Sequence, residues 1–372
     1  MAEGKKFLTD AKDFGDVSRG QPVPHSLKGE ALVKARLTPE TWRLEITAEG
    51  GAKIGKPLRI ADKNALDMKA ILALGKKHGV KFLKAMQCNN IARPLGQGLW
   101  EGVPLREVLR QVGKIDNARR AYYWGYHNDD DKQMFRSSLP LAQVLDAPPG
   151  ELLPFVAYRL NGQPIPLTRG GPVRMVVPWA HGFKSIKWLQ RITLTNDYKA
   201  NDTYAEQNND PDSYLKTAAY LDDGHEAFKA SEPVVVRGTA MVGWSGLKRV
   251  EYWLRRDTGT HGRLAADDPA WQAAEWKPCV IEPPPKDWGG QLPGGVLPKD
   301  VWGFDPATGQ PKEWPLRFSV AQWTVTLKDL PAGAYEFRAR AVDLNGYGQP
   351  EPRPYLKSGR NEVPYKPILV TE

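Results

Sequence analysis

The stretch PVVVRGTAMV at residues 233–242 carries apolar side chains at alternate positions, and this pattern sets the structure of the second half of the chain. The same alternation follows in RVEYWLRR (249–256), FSVAQWTVTL (318–327) and AYEFRARAVD (334–343). Successive side chains of a β-strand point to opposite faces of the sheet, so alternation predicts strands that each bury one face. Repeated strands of this kind, separated by turns, predict a β-sandwich.

The first half has a different texture, because helical and strand-like segments follow one another. ETWRLEITAEG (40–50) has the composition of a strand, whereas ADKNALDMKAILALGKKH (61–78) has the apolar spacing of a helix. KFLKAMQC (81–88) predicts a strand that ends at Cys88, and PLREVLRQV (104–112) predicts a second helix. This half is therefore expected to be mixed α+β.

The chain length indicates more than one domain. At 372 residues it exceeds the roughly 100 to 200 residues of a usual domain. We predict one domain over residues 1–228 and a second over 229–372, with the linker between about residues 220 and 232. Hydrophobic residues at 41% and charged residues at 26% are typical of a folded chain. The N-terminus MAEGKKFLTD lacks an apolar core, and we expect neither an export signal nor a membrane span.

The charge balance permits several classes of partner. The chain has 52 Lys and Arg residues against 43 Asp and Glu residues, a net charge of +9. Such an excess is compatible with nucleic acid, with acidic proteins or with a small anion. The basic residues are scattered in ones and twos and form no nucleic-acid-binding module, so we expect no nucleic acid partner.

Cysteine and histidine limit the metal chemistry. With only Cys88 and Cys279, the chain cannot build a disulfide framework, a four-thiolate zinc site or an iron–sulfur cluster of its own. The six histidines are dispersed and none has the HExxH spacing of a zinc enzyme. Any metal cofactor must need no more than one or two thiolates.

Two segments carry a resemblance to a known family. MQCNNIARPLGQGLWEGVPLREVL (86–109) resembles the region that holds the molybdenum-ligating cysteine in the sulfite oxidase family of molybdopterin enzymes. GGPVRMVVPWAHGFKSIKWLQRITL (170–194) resembles that family's PVRxxVPxxxGxxSVKWLxRI segment, which lines the pterin. Weaker matches fall in the family's order at SRGQPVP (18–24), FRSSLPL (135–141), NDYK (196–199), RARAVDLNGYGQPEP (338–352) and SGRN (358–361).

The resemblance covers nearly all of the chain and therefore implies a fold. The tail is similar to the end of the family's C-terminal dimerisation domain, which is an immunoglobulin-like sandwich. The implied fold class is α+β, with a sulfite-oxidase-like mixed α/β molybdopterin-binding domain followed by an immunoglobulin-like β-sandwich. A homodimer is expected on the same ground.

The resemblance also assigns roles to residues of a candidate active site. Cys88 becomes the metal ligand, because thiolate is a soft ligand and the pterin dithiolene supplies further sulfur. The family's pocket arginines, whose forked donors suit an oxyanion, fall on Arg19, Arg93 and Arg360. The active-site tyrosine falls on Tyr198, with Tyr204 as an alternative. The implied cofactor-binding residues are Arg19, Gln21, His127, Asp129, Arg169, Arg174, Ser185, Ile186 (through its backbone) and Lys187.

Each of these residues also has a structural alternative. A lone cysteine such as Cys88 can be a buried structural thiol, a single arginine can form a surface ion pair, and a tyrosine in a polar loop can serve packing. Cys279 lies outside every matching segment and is expected to be structural or free. A disulfide between the two cysteines is a minor alternative in an oxidising compartment.

The chain departs from the family pattern near the expected substrate pocket. Cys88 is followed by Asn-Asn-Ile where the family's sulfite enzymes commonly have Ala-Gly-Asn. Arg19-Gly20-Gln21 stands where the family has Arg-Asn-His. The loop from Cys88 to the WEGVPL motif at 100–105 is short and is similar to that of bacterial relatives, including methionine sulfoxide reductases. These departures leave the expected cofactor intact but put the substrate in doubt.

The resemblance implies a molybdenum–molybdopterin oxidoreductase that oxidises sulfite to sulfate. The chain shows no haem motif, so electrons are expected to pass to an external acceptor, a c-type cytochrome, or to oxygen as in the family's plant enzymes. One alternative is reduction of S- or N-oxides, or oxidation of another small anion, at the same cofactor. A second is a dimeric binding protein without catalysis. Kinship with bacterial members implies a periplasmic location.

Overall fold

A computed structural model gives the fold. It describes residues 6–89, 91, 93–126, 130, 132–199, 210–224, 226–257, 263–265, 268–350, 359 and 361–372. In the first half, the elements in chain order are α1 (Gly29–Lys34), β1 (Arg43–Glu49), β2 (Lys53–Ile54), β3 (Leu66–Asp67), α2 (Met68–His78), β4 (Val80–Met86), β5 (Gly96–Pro104), α3 (Leu105–Leu109), β6 (Ile115–Asp116), β7 (Arg120–Gly125), β8 (Arg136–Pro140), α4 (Leu141–Leu145), β9 (Phe155–Leu160), β10 (Gln163–Pro164), β11 (Arg174–Val176) and β12 (Leu189–Thr195).

Two larger sheets and a small sheet of β2 and β6 form the first half. One of the larger sheets has the strand order β3-β1-β12-β7-β8, and its β1 and β12 run parallel. The other has the order β10-β9-β5-β4, with β11 also paired to β9. Their shared core includes Trp42 and Trp100, which are fully buried, and Phe155 and Ile192. The mixed α+β architecture predicted for this half is confirmed.

Both predicted helices are present, but the first begins later than expected, because α2 spans Met68–His78 where the sequence predicts a helix over 61–78. α2 begins at Met68, because the Asp67 side chain caps it by accepting a hydrogen bond from the amide of Ala70 at 2.8 Å. The second predicted helix consists of α3 followed by a 3₁₀ turn over Arg110–Val112. The residues from 61 to the cap are not helical. Their apolar spacing predicts a helix, but Asp67 is the N-cap residue, so the helix begins only after it.

The second half forms two packed antiparallel sheets and confirms the predicted sandwich. Its elements are β13 (Ala218–Leu221), β14 (Ala227–Lys229), β15 (Val234–Met241), β16 (Arg249–Asp257), α5 (Pro269–Gln272), β17 (Lys277–Pro278), β18 (Val280–Ile281), β19 (Val320–Leu327), β20 (Gly333–Val342) and β21 (Tyr365–Thr371). The sheet orders are β13-β15-β19-β18 and β14-β21-β20-β16-β17, with the one parallel pair at the edge, β14 with β21. Trp323, Phe337 and Ile368 lie in the core between them.

The sandwich begins earlier in the chain than the predicted boundary. β13 pairs with β15, and β14 pairs with β21, although both lie before residue 230. The predicted linker at about 220–232 thus contains strand residues. Both strands are too short for their alternation to be visible in the sequence. The domain ranges 1–228 and 229–372 stay predictions.

The N-terminal segment and the loop after β18 pack together over the outer face of β4 and β5. Phe7 contacts Trp288 with ring centroids 4.9 Å apart, and both lie in a cluster with Leu83 and Leu99. This packing fixes the segment that leads to Phe14 and the candidate site. Among the described residues, no helix has the length and apolar character needed to cross a membrane.

Candidate cofactor and substrate site

A pocket that is open to solvent lies in the first half of the chain. Its walls come from the N-terminal segment, the end of β4, the loop after β7 and the segment following β11. Seven of the residues singled out from the sequence line it: Arg19, Cys88, Arg169, Arg174, Ser185, Ile186 and Lys187. The fold therefore brings together residues that lie far apart in sequence.

Cys88 lies at the cavity because β4 ends two residues before it, at Met86. The carbonyl of Gln87 accepts a hydrogen bond from the amide of Gly182 at 2.7 Å and lies 3.3 Å from Nδ1 of His181. The Gln87 side chain donates to the carbonyl of Ile91 at 2.7 Å. These contacts fix the backbone on both sides of the thiol. Neither cysteine forms a disulfide.

Arg174 braces the cavity wall from within. Its guanidinium donates to the carbonyls of Arg169 and Ser185, both at 2.7 Å, and lies 4.9 Å from the ring centroid of Trp100. Burial, together with the positive charge of Arg169, lowers the pKa of Arg174 to about 9. The Ser185 hydroxyl accepts from the amide of Val177 at 3.1 Å, so this serine is held on two sides.

Arg169 connects the wall to the N-terminal segment. Its Nη1 donates to the carbonyls of Phe14 at 3.0 Å and Gly15 at 2.8 Å. Its Nε is buried and has no hydrogen-bond partner among the described residues. Burial lowers the pKa of Arg169 against the opposing effect of Asp16. A buried guanidinium with a donor to spare is suited to an anionic or oxygen-bearing ligand.

Lys187 is held by three acceptors at the cavity wall. Its Nζ donates to Oδ1 of Asp16 at 2.7 Å, to the Ser18 hydroxyl at 3.1 Å and to the carbonyl of Thr168 at 3.1 Å. Burial lowers the pKa of Lys187 to about 8, although the hydrogen bond to Asp16 opposes the shift. Partial burial acts to raise the pKa of Asp16, but hydrogen bonds from Lys187 and Ser18 keep it below its usual value.

The rim of the cavity contains Arg19. This exposed arginine places Cζ 4.7 Å from the ring centroid of Phe135, which also lines the cavity. The backbone amide of Gln21 donates to Oε1 of Gln133 at 2.5 Å, so Gln21 contacts a lining residue without lining the cavity itself. Ile186 lines the wall, and its carbonyl accepts from the amide of Met175 at 2.9 Å.

Two of the predicted site residues lie elsewhere. The Arg93 guanidinium forms a two-pronged ion pair with Asp223, with both N···O distances at 2.8 Å, and lines a different pocket. Tyr198 follows β12 and is 74% exposed. His127, Asp129, Arg360 and the alternative Tyr204 lie outside the described residues. The roles assigned to all six stay predictions.

Sequence reasoning missed the aromatic walls and two buried lysines. Phe14, Phe183 and Trp188 line the cavity but carry no motif of their own. Lys84 and Lys184 have no exposed surface. A lysine inside the otherwise apolar run KFLKAM was the available signal for Lys84.

The residues of the cavity fit an anionic pterin cofactor. Four cations converge there, namely Arg19, Arg169, Arg174 and Lys187, and Asp16 pairs with Lys187. Burial lowers the pKa of the last three cations, because desolvation disfavours their charged forms. A phosphate-bearing ligand would bring negative charge next to these cations.

Comparison with known proteins gives the class of the first half. Residues 31–203 match the family model described as oxidoreductase molybdopterin binding domain. The mitochondrial sulfite oxidase of Drosophila melanogaster is 32% identical over 46% of this chain and 30% of its own length. The human enzyme is 31% identical over 46% of this chain and 32% of its own length. Inducible nitrate reductase [NADH] 2 of Glycine max is 30% identical over 30% of this chain and 13% of its own length.

A solved structure shares the fold over both halves. The sulfane dehydrogenase SoxCD from Paracoccus pantotrophus superposes with a TM-score of 0.56, covering 88% of this chain and 77% of that chain at 17% identity. At that identity the likeness shows the fold alone. Together with the match of residues 31–203 to the molybdopterin-binding family model, this shared fold confirms the predicted arrangement of a molybdopterin domain followed by a sandwich.

Residues 31–203 therefore form a molybdopterin-binding oxidoreductase domain of the sulfite oxidase family, and the cofactor is molybdenum–molybdopterin. The expected family, enzyme class and cofactor are confirmed. The matches span about a third of the length of the sulfite oxidases. Because nitrate reductases carry a similar segment, family membership does not choose the substrate.

Proposed function

We propose that this chain oxidises sulfite to sulfate and passes the electrons to an external acceptor, a c-type cytochrome. The observation that carries the proposal is a thiol, Cys88, at the wall of a cavity lined by cations. In the overall reaction, one oxygen atom from water is added to sulfur, and two protons and two electrons are released.

The donor set suits the cofactor, and Cys88 would hold its molybdenum as the protein thiolate. When bound, the molybdenum–molybdopterin group supplies oxygen-atom transfer and two-electron redox chemistry. Arg169, Arg174 and Lys187 would bind its anionic part. Because their hydrogen bonds to backbone carbonyls and Asp16 already fix these side chains, little reorganisation is needed on binding.

Arg19 would orient the substrate at the rim. Its guanidinium is held over Phe135 and offers forked donors to an oxyanion from an exposed position. Arg93 and Arg360 remain proposed second and third substrate arginines, and Tyr198 the proposed hydrogen-bond donor. In this proposal Arg93 exchanges Asp223 for the anion when substrate enters.

The remaining partners are proposals that rest on family kinship. The sandwich would form a homodimer, and the enzyme would work in the periplasm. A net charge of +9 suits an acidic surface on the electron acceptor, because complementary charge speeds encounter. Acceptor turnover should then fall as ionic strength rises, and insensitivity to salt would count against this docking mode.

Reduction of an S-oxide is the second candidate, and the Arg93–Asp223 ion pair favours it. With Arg93 paired elsewhere, the described part of the cavity has a single exposed arginine, Arg19, to recognise an anion. A neutral sulfoxide needs fewer cations than sulfite does. The short loop after Cys88 is also similar to that of methionine sulfoxide reductases.

The two functions separate in a direct assay. Protein purified with its cofactor is given sulfite with ferricyanide as acceptor, and separately methionine sulfoxide with a reduced viologen as donor. Sulfite oxidation with one sulfate per two electrons supports the proposal. Sulfoxide reduction without sulfite turnover, in molybdenum-replete protein, would overturn it in favour of the second candidate.

A further inference from the structure

A lysine occupies the buried part of β4, four residues before Cys88. Lys84 has no exposed surface, and Phe82 and Met86 lie on the same face of the strand. Its Nζ donates to the carbonyl of Pro178 at 2.8 Å and to that of Ala180 at 3.0 Å. Among the described residues no carboxylate pairs with it, so backbone carbonyls alone hold the charge.

Keeping an ammonium group at this place is unfavourable for the fold. Burial and the nearby charge of Arg174 lower the pKa of Lys84 well below its ordinary value. A buried cation without a carboxylate partner loses its hydration free energy, and hydrogen bonds to carbonyl oxygens offset only part of that loss. A methionine would fill the same volume without this cost. The presence of the lysine is therefore explained by the two carbonyls, of Pro178 and Ala180, that its hydrogen bonds hold in place.

Its two acceptors belong to the turn that leads from β11 into the cavity wall. The turn continues through His181 into the 3₁₀ helix Gly182–Lys184. The amide of Gly182 then donates to the carbonyl of Gln87, the residue directly before Cys88. The same turn thus contacts β4 at Lys84 and the chain directly after β4 at Gln87.

We propose that Lys84 is a positioning residue for Cys88. By holding the carbonyls of Pro178 and Ala180, it fixes the turn whose Gly182 amide binds Gln87, and so sets where the Cys88 sulfur lies in the cavity. Its relevance to the metal rests on the proposed role of Cys88 as molybdenum ligand. The position of the thiol can be tested without the metal.

The test measures thiol reactivity in cofactor-free protein. Wild type and Lys84→Met are treated with iodoacetamide under native conditions, and the alkylation rate of each cysteine is followed by peptide mass spectrometry. Cys279, in the sandwich, is the internal reference. We expect the rate at Cys88 to rise by at least about threefold, because the loosened turn exposes the thiol, while the rate at Cys279 stays unchanged.

Leu83→Ala is the matched control, because Leu83 directly precedes Lys84 on β4 but lies in the cluster with Phe7 and Trp288. The void left by the smaller side chain destabilises the strand without changing the hydrogen bonds of Lys84. The ratio of the two alkylation rates should stay at the wild-type value in this variant. Lys84→Gln, which keeps a donor without the charge, provides a second variant should Lys84→Met fail to fold.

A rate ratio unchanged in the folded Lys84 variants, or one shifted equally by Leu83→Ala, would overturn the proposal. The result is independent of metal loading. Failure of the proposed role of Cys88 as metal ligand would appear instead as unaltered molybdenum content in Cys88→Ser, so the two failures are distinguishable.

Discussion

The guanidinium of Arg174 donates to the carbonyl of Ser185 at 2.7 Å, joining β11 to the segment that follows the 3₁₀ turn of the cavity wall. A second donor of the same side chain reaches the carbonyl of Arg169. Arginine can make both contacts at once, because its donors point in different directions from one rigid planar group. The wall of the cavity is therefore braced by one side chain that donates to the backbone carbonyls of both Arg169 and Ser185.

Arg174→Lys should lower both stability and cofactor retention. A single ammonium at the end of a flexible chain cannot reach both carbonyls, and one buried acceptor left unpaired costs about 1–3 kcal/mol. We expect a lower Tm and less molybdenum per chain. Arg191→Lys, at an exposed arginine of β12, should change neither. Equal behaviour of the two variants would contradict this role.

Gly170→Ala should distort the wall at Lys187. Gly170 has φ +93°, and a Cβ there would lie 2.6 Å from Cγ and 2.9 Å from Cα of Lys187. Gly309, at φ +68° with open space around it, is the control, because alanine there meets the backbone strain alone. We expect Gly170→Ala to lose about 1–3 kcal/mol more than Gly309→Ala in chemical denaturation. Equal losses of stability in the two variants would show that Gly170 does not closely approach Lys187.

The stability of the cofactor-free protein should rise with pH above about 8 through Lys187. Burial holds the pKa of the folded lysine at about 8, below its unfolded value. Between these two values the unfolded chain binds more protons, so the free energy of unfolding increases with pH. Lys187→Met should remove this increment, which can be read from urea denaturation at pH 7 and pH 10. A pH dependence identical in both proteins would show that Lys187 is not the group concerned.

Asp223→Asn should strengthen sulfite binding if Arg93 serves the substrate. Release of the exposed ion pair makes Arg93 available at a cost of no more than about 1 kcal/mol, so KM for sulfite should fall by up to about fivefold. Arg93→Glu should raise KM steeply with a smaller change in kcat. Asp222→Asn, at the neighbouring residue, is the control. An unchanged KM in both Asp223→Asn and Arg93→Glu would remove Arg93 from the substrate site.

The sequence was sufficient to predict those strands and helices in which buried residues recur in a regular pattern. β19 alternates buried and partly buried residues along most of its length, as FSVAQWTVTL predicts. The strand leading to Cys88 and the 170–194 segment were likewise found, because a family motif and an apolar run coincide there. Seven of the predicted site residues consequently meet in one cavity.

The remainder depends on contacts between segments that are far apart in the chain. Arg93 pairs with Asp223, which lies 130 residues away in the chain, and no local sequence pattern indicates that partner. The same holds for Arg169, whose acceptors Phe14 and Gly15 lie in the N-terminal segment. Backbone carbonyls as acceptors leave no signature in side-chain sequence, which is why the bracing roles of Arg174 and Lys84 became visible only in the structure.

The most direct test of the account is the molybdenum content of the protein, measured by elemental analysis after expression in a host that makes the pterin cofactor. Wild type and Cys279→Ser should each contain about one molybdenum per chain, whereas Cys88→Ser should contain much less, because metal ligation depends on the thiolate. Folded wild-type protein without molybdenum, or a Cys88→Ser variant as fully loaded as Cys279→Ser, would contradict the central claim that this cavity holds the cofactor through Cys88.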